Sequence, residues 1–114
     1  MTNHDDFDSE FDALPTAARD ELLAVTALLE TYGPMLGRPH ADTLVGSKHA
    51  NMNELRFRAA DGVWRVAFAF DPARRAILLV AGDKSGVARK RFYSALIRKA
   101  DRRLDAHLKC LKEV

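Results

Sequence analysis

Apolar positions recur at helical spacing in the first third of the chain, alternate through its middle, and return to helical spacing at the end. Within Asp5–Asp12, Phe7 and Phe11 stand four residues apart, on one side of a short helix. Pro15 and Thr16 open a longer helix, since proline suits a first helical turn. Its stripe runs Ala18, Leu22, Val25, Leu29 and Tyr32, and Gly33-Pro34 ends it. From Gly33 to Asn51, glycine, proline, histidine and serine break any period, which predicts loop with one helical turn near Asp42–Val45. The period then becomes two through Glu54–Arg58, a turn at Ala59–Gly62, and Val63–Phe70. A second turn at Asp71–Arg74 leads into the apolar run Ala76–Gly82, so an antiparallel meander is predicted across 52–82. A final helix starts near Val87–Lys90 with the stripe Phe92, Leu96, Ile97, Ala100, Leu104, Leu108 and Leu111. Arg98, Arg102, Arg103 and Lys109 are expected on its other sides.

Alternation assigns the strand faces. Leu55 and Phe57 share one face, with Arg56 and Arg58 on the other. On the next strand Trp64, Val66, Phe68 and Phe70 oppose Val63, Arg65, Ala67 and Ala69. The predicted class is α+β: a small antiparallel sheet of about three to four strands with helices packed on one face. Trp64, Val66, Phe68, Leu22, Val25, Leu29, Leu96, Ile97 and Leu104 should then share one core. Arg56, Arg58 and Arg65 would project from the open face, where the small alanines leave room for a ligand. A shallow cationic surface of that kind suits a phosphate-rich partner.

A chain of 114 residues has length for one domain, spanning 1–114. The N-terminus is acidic and polar, without the basic-then-apolar order of a signal peptide, and no apolar run has the length of a membrane span. A cytoplasmic protein without membrane association is expected. The single cysteine, Cys110, excludes an internal disulfide and any multi-cysteine metal site. The net charge of +2 conceals an asymmetry: residues 1–53 carry nine acidic and three basic side chains, residues 54–114 seven and fifteen. The halves are therefore −6 and +8, which points to an anionic partner for the second unless its helix merely has a solvated charged face.

Four segments in order carry a resemblance: Gly46–Arg56, Trp64–Pro72, Ala76–Gly86, and Phe92-Tyr93 followed by the helix Ala100–Leu108. Together, from about Asp5 to Leu108, they resemble the phage-derived branch of the HigB toxins within the RelE/ParE superfamily. The resemblance implies a RelE-like fold and a type II toxin that cleaves mRNA on the ribosome as an endoribonuclease. It also implies a cognate antitoxin, usually a small helix-turn-helix protein from the same operon. RelE-type toxins begin with a strand; here only Met1–His4 precedes the first helix, so that strand is short or absent. Two other classes stay open: a ParE-like gyrase poison, and a degenerate toxin serving only as an antitoxin-binding regulatory module.

RNA cleavage of this type requires a 2′-hydroxyl to attack the neighbouring phosphorus while the 5′-oxygen is protonated. Cations stabilise the charge that develops, and neither a metal nor a cofactor is needed. Arg65 is the first candidate for a phosphate clamp, because its guanidinium fork can hold two phosphate oxygens. The resemblance places an arginine on this strand and a basic residue at Arg56. Arg58, nearer the turn, adds charge. Lys84, at the end of the third strand, is a phosphate ligand or a proton donor. Arg89, Lys90 and Arg91 open the last helix against its macrodipole, a small local cost that hints at function. Arg91 is the catalytic candidate among them, with Arg89 and Lys90 as phosphate contacts. Tyr93 matches the tyrosine that RelE-type enzymes use near the scissile base, and could stack on a base or bond the 2′-oxygen. His49, beside Asn51 in the loop before the first arginine strand, is the remaining RNA-binding candidate, because histidine titrates in a useful range. His4, His40 and His107 show no ligand spacing, so no metal site is expected.

Overall fold

A computed structural model describes residues 2–112. Strand β1 (Thr2–Asn3) leads into helix α1 (Asp5–Ala13) and helix α2 (Thr16–Tyr32), and a single 3₁₀ turn comes after them at Gly33–Met35. Strands β2 (Ala41–Thr43), β3 (Asn53–Ala59), β4 (Gly62–Phe70) and β5 (Ala76–Asp83) come next, then helix α3 (Arg89–Lys112). The sheet order is β1-β5-β4-β3-β2. Strands β2 to β5 form the expected antiparallel sheet, and β1 adds two residues in parallel to the free edge of β5. The α+β class holds, and the opening strand is short.

Helix α1 is capped by His4, whose Nδ1 accepts from the Asp6 amide at 3.2 Å. Helix α2 ends at Gly33 with φ 55°, a left-handed setting that glycine adopts without strain. Ala60 and Asp61 form a two-residue hairpin loop, both with positive φ, which matches the right-handed twist of β3 and β4. Gly62 stands just after this loop, as the first residue of β4. A Cβ there would lie 2.7 Å from Trp64 Nε1 and 2.9 Å from Asp83 Oδ2.

The sheet separates two cores. Phe7, Leu22, Val25 and Leu29 of α1 and α2 pack on Leu55, Phe57, Trp64, Val66 and Phe68. Phe92, Leu96, Ala100 and Leu104 of α3 pack on the opposite face, against Leu44, Met52, Ala67, Ala69, Ile77 and Leu79. Helices therefore lie on both faces rather than one, and the expected single core is divided. The reason is volume: Ala67 and Ala69 leave the depth a helix needs, and the α3 stripe fills it. Arg65, expected to project from an open face, is instead 6% exposed with Tyr93 of α3 against it, whereas Arg56 is half-buried and Arg58 exposed.

Three local expectations also change. Ala41–Thr43 is an edge strand paired with β3, where one turn of helix was expected. Tyr32 and Leu111 are exposed despite their stripe positions. Arg103, expected on the outside of α3, is 6% exposed and donates from Nη1 to Leu79 O at 2.7 Å and to Glu10 Oε1 at 2.8 Å. It straps α1 to α3 past the edge of β5.

Candidate functional site

Antiparallel register sets Arg56 of β3 directly opposite Arg65 of β4. Like charges so placed repel, and the same face supplies the remedy. Glu54, two residues before Arg56, puts its Oε1 3.6 Å from Arg56 Nε and 3.8 Å from Arg65 Nε. Tyr93, in the first turns of α3, completes the cluster. Its hydroxyl donates to Glu54 Oε1 at 3.2 Å and accepts from Arg65 Nε at 3.2 Å. Arg65 Nη1 donates back to the Trp64 carbonyl at 2.9 Å, which locks the guanidinium in plane.

Gly82 lets α3 bring Tyr93 this close. It pairs with Arg65 across β4 and β5, and a Cβ on it would stand 2.9 Å from Phe92 Cε1. Arg89, one helical turn before Tyr93, lays its guanidinium over the tyrosine ring at 5.2 Å from the centroid. Lys84 sits on the turn after β5, its amide bonded to Val63 O at 2.7 Å. Asp83 Oδ1 fixes that turn by accepting from the Val63 and Ser85 amides.

The electrostatics stem from crowding. Partial burial, then the charges of Arg65, Arg89 and Arg56, bring the Lys84 ammonium below its ordinary value, so it gives up its proton more readily. Glu54 is 5% exposed, and burial raises its carboxyl above the ordinary 4.5 despite the Tyr93 hydrogen bond, Arg65 and Arg56. Its second oxygen, Oε2, has no hydrogen-bond partner among the described residues.

Two open grooves meet at this cluster. The larger, about 1180 Å³, is lined by Glu54, Arg56, Arg89, Lys90, Tyr93 and Arg98, with Leu44, Val45 and Ile97 as its apolar part. The smaller, about 620 Å³, is lined by Arg58, Arg65, Phe57 and His40, and Arg38 and Arg56 border both. Arg56, Arg65, Arg89 and Tyr93 thus converge, with Lys90 and Arg58 on the groove walls; Lys84 lines neither groove but is near enough to feel the charges of Arg65, Arg89 and Arg56.

Two candidates stand elsewhere. His49 Nε2 lies 2.8 Å from Asp105 Oδ1, in a latch where Ser47 and Lys48 also bind Asp101 and Asp105. That latch ties the loop to the middle of α3. Arg91 is exposed and lies roughly 200° round the helix from Arg89 and Tyr93. No hydrogen bond or ion pair holds it among the described residues. Sequence reasoning missed Glu54, although alternation places it on the Arg56 face, and it missed Arg38 and Arg98 as groove residues. Among the described residues no three His, Cys, Asp or Glu side chains are grouped to hold a metal ion, and no helix is long and apolar enough to cross a membrane.

Residues 9–105 match the family model described as "Phage derived protein Gp49-like (DUF891)". The chain is 50% identical over 88 residues to "Putative toxin HigB3" of Mycobacterium tuberculosis (strain ATCC 25618 / H37Rv), covering 75% of each chain. It is 44% identical over 88 residues to "Putative toxin HigB2" of the same organism, covering 76% of this chain and 43% of that protein. The chain thus spans under half the length of that relative. No solved structure gives a significant match.

Proposed function

Because the chain belongs to the phage-derived Gp49-like family, we propose that it is the toxin of a type II toxin–antitoxin pair, acting in the cytoplasm as a ribosome-dependent mRNA endonuclease. The toxin names of the two Mycobacterium tuberculosis relatives support the first part of this reading. The observation that carries the second is the Arg65–Tyr93 contact at 3.2 Å, inside a cluster that also holds Arg56, Glu54 and Lys84. A surface used only for binding gains little from a buried arginine locked to a tyrosine hydroxyl. A transition state that accumulates charge on phosphate gains a great deal.

In this reading Arg65 and Arg56 hold the non-bridging oxygens of the scissile phosphate. Tyr93 hydrogen-bonds the attacking 2′-oxygen, whose proton leaves to water as the new P–O bond forms. The P–O5′ bond breaks, and Lys84 gives its proton to the departing oxygen, a transfer eased by its lowered pKa. Arg58, Arg89, Lys90 and Arg98 guide the flanking backbone along the grooves. The ribosome presents the mRNA, and an antitoxin from the same operon silences the toxin by covering this face or bracing α3.

Inducible expression tests the reading. Growth should stop, and transcripts should be cut within ribosome-covered regions, as mapped by 5′-end sequencing. Arg65→Ala and Tyr93→Phe together should abolish both effects, and Arg102→Ala, on an exposed part of α3, should leave them intact. Arrest by the double variant, without new RNA ends, would replace cleavage with a gyrase-type or binding-only action.

A further inference from the structure

Glu54 has no place in a simple phosphate clamp. A carboxylate among the phosphate ligands repels the substrate, yet this one is built into the centre of the site. Its Oε1 takes a hydrogen bond from Tyr93 at 3.2 Å and sits 3.6 and 3.8 Å from the Nε atoms of Arg56 and Arg65. Those are the groups a phosphodiester oxygen would use. In the free protein the carboxylate therefore acts as a resident anion, occupying the position of a substrate oxygen and keeping the opposed arginines together.

The other oxygen indicates how the site responds to a real phosphate. Oε2 is buried and meets no donor among the described residues. An ionised carboxylate leaves that atom unsatisfied, which is costly, and a phosphodiester beside it would add direct repulsion between two anions. A neutral carboxyl eases both penalties: it has no charge to desolvate or to repel the phosphate, and its proton can sit on Oε1, the oxygen facing Tyr93, Arg56 and Arg65, and donate to the phosphate. It is also a weaker acceptor, so the Tyr93 hydroxyl is released towards the substrate.

We infer that Glu54 is a proton-loaded positioning residue: it holds the phosphate seat in the free protein and takes up one proton as a phosphodiester binds, then donates a hydrogen bond to it. The inference rests on the phosphodiester reading of the site. Burial, which already raises the Glu54 pKa, makes the uptake easier. Asp42 on β2 is paired with Arg38 and favours the neutral form of Glu54, whereas Arg56 on β3 and Arg65 on β4 favour the ionised form. Lys84 after β5 is near enough to feel the Glu54 charge, and Tyr93 on α3 donates to Glu54. An incoming phosphodiester satisfies the two arginines and so removes what keeps Glu54 ionised.

A 2′-O-methyl oligouridylate is a suitable probe, since its blocked 2′-oxygen prevents cleavage and neither its phosphates nor its bases titrate near neutrality. Calorimetry in two buffers of different ionisation heat should show about one proton taken up per oligonucleotide bound at pH 7.5. Fluorescence anisotropy should show affinity falling about tenfold per pH unit above the Glu54 pKa. Glu54→Gln, a mimic of the neutral acid, should bind at least about tenfold tighter at pH 8, with the Glu54 part of the slope gone. Loss of a negative charge alone would also tighten binding, so proton uptake and slope decide the matter. Lys84 also titrates and its pKa feels the Glu54 charge, so calorimetry and slope are repeated in Lys84→Met with and without Glu54→Gln. Calorimetry on Lys84→Met, with Glu54 intact, carries the test even if the Glu54→Gln chain folds poorly. Binding without proton uptake, with an unchanged slope in Glu54→Gln, overturns the inference and leaves the phosphate site standing. No binding by wild type, even at low salt, overturns the site along with it.

Discussion

Removing Arg65 should damage the protein in two separable ways, and the structure says how to separate them. Arg65→Ala deletes the proposed phosphate ligand, and it also strips a counter-charge from a buried carboxylate. The Arg65 Nε and Glu54 Oε1 atoms are 3.8 Å apart. At an effective dielectric of about 20, that separation corresponds to roughly 4 kcal/mol of attraction. Arg56 still faces Glu54 at 3.6 Å and Tyr93 still donates to it, and the variant no longer has a guanidinium to desolvate. A net loss of about 3 kcal/mol is expected at pH 8, the low end for breaking a buried pair. For a chain of this length that is roughly 12 °C in melting temperature. Adding Glu54→Gln should restore about 2 kcal/mol, because the carboxamide needs no counter-charge. Cleavage should not return: both variants should lie 10²–10³ below wild type, about the loss of one transition-state donor.

The pH dependence carries the sign. The folded-state pKa of Glu54 lies above its ordinary 4.5, so its stabilising contribution is complete below that value and is lost as pH rises through the folded pKa. Arg65→Ala raises the folded pKa further, so its deficit should shrink on acidification and be largest at alkaline pH. Thermal melts of the wild type and the two variants at pH 5 and pH 8 make the measurement. Equal stability losses in Arg65→Ala and the double variant, within about 0.5 kcal/mol, would refute the coupling between Arg65 and Glu54.

Gly82→Ala should push Phe92 away from β5, lowering stability by about 1–3 kcal/mol and moving Tyr93 off Arg65, with loss of cleavage out of proportion to the loss of fold. Melts and cleavage assays at a temperature where the variant is fully folded check this. Arg103→Met should lower stability by about 2–3 kcal/mol at pH 7 by unpairing Glu10 and the Leu79 carbonyl. The Arg103 hydrogen bond holds the Glu10 pKa below 4.5, so this contribution is present above that value and lost as pH falls through the folded pKa. The gap between Arg103→Met and wild type should therefore narrow in acid, as melting curves from pH 7 to pH 3 would show. His49→Gln, which breaks the loop latch, and Arg91→Ala, which removes an exposed charge, both lie outside the cluster and should leave cleavage within about twofold of wild type.

The helices and the meander were legible because their periods are long enough to count. The stripe of α2, the alternation of β3 and β4, and the glycine that ends α2 each state a local preference that the fold respects. Strand β2 was not legible, because three residues carry no period and Ala41–Thr43 is a strand only through its pairing with Asn53–Leu55. The covering of the second sheet face was hidden for a different reason. Alternation shows that Ala67 and Ala69 face away from Trp64, but small residues accept a ligand or a helix equally well. Only the packing of α3 decides between them. Arg103 defeats a reading in which charge signals exposure. Its position, three residues after Ala100 on the buried side, is the better guide. The partners of the Ser47–His49 loop lie more than 50 residues away, at Asp101 and Asp105, and no local pattern announces them.

Glu54 is the instructive omission, because the signal was present. The alternation that assigns Arg56 and Arg58 to one face assigns Glu54 to it as well, at the end nearest the core. An opposed arginine pair on adjacent strands is destabilising, the more so when one of the two charges is buried and unbalanced. Finding Arg56 against Arg65 therefore requires a carboxylate within reach, and among the residues of that face on β3 and β4 only Glu54 is one. Glu54 and Tyr93 hold the arginines in place in the free protein, so the proposed phosphate site is pre-formed. Preorganisation of that kind spares the reacting complex the reorganisation of its cations. Its consequence is an internal anion that the substrate has to neutralise or displace.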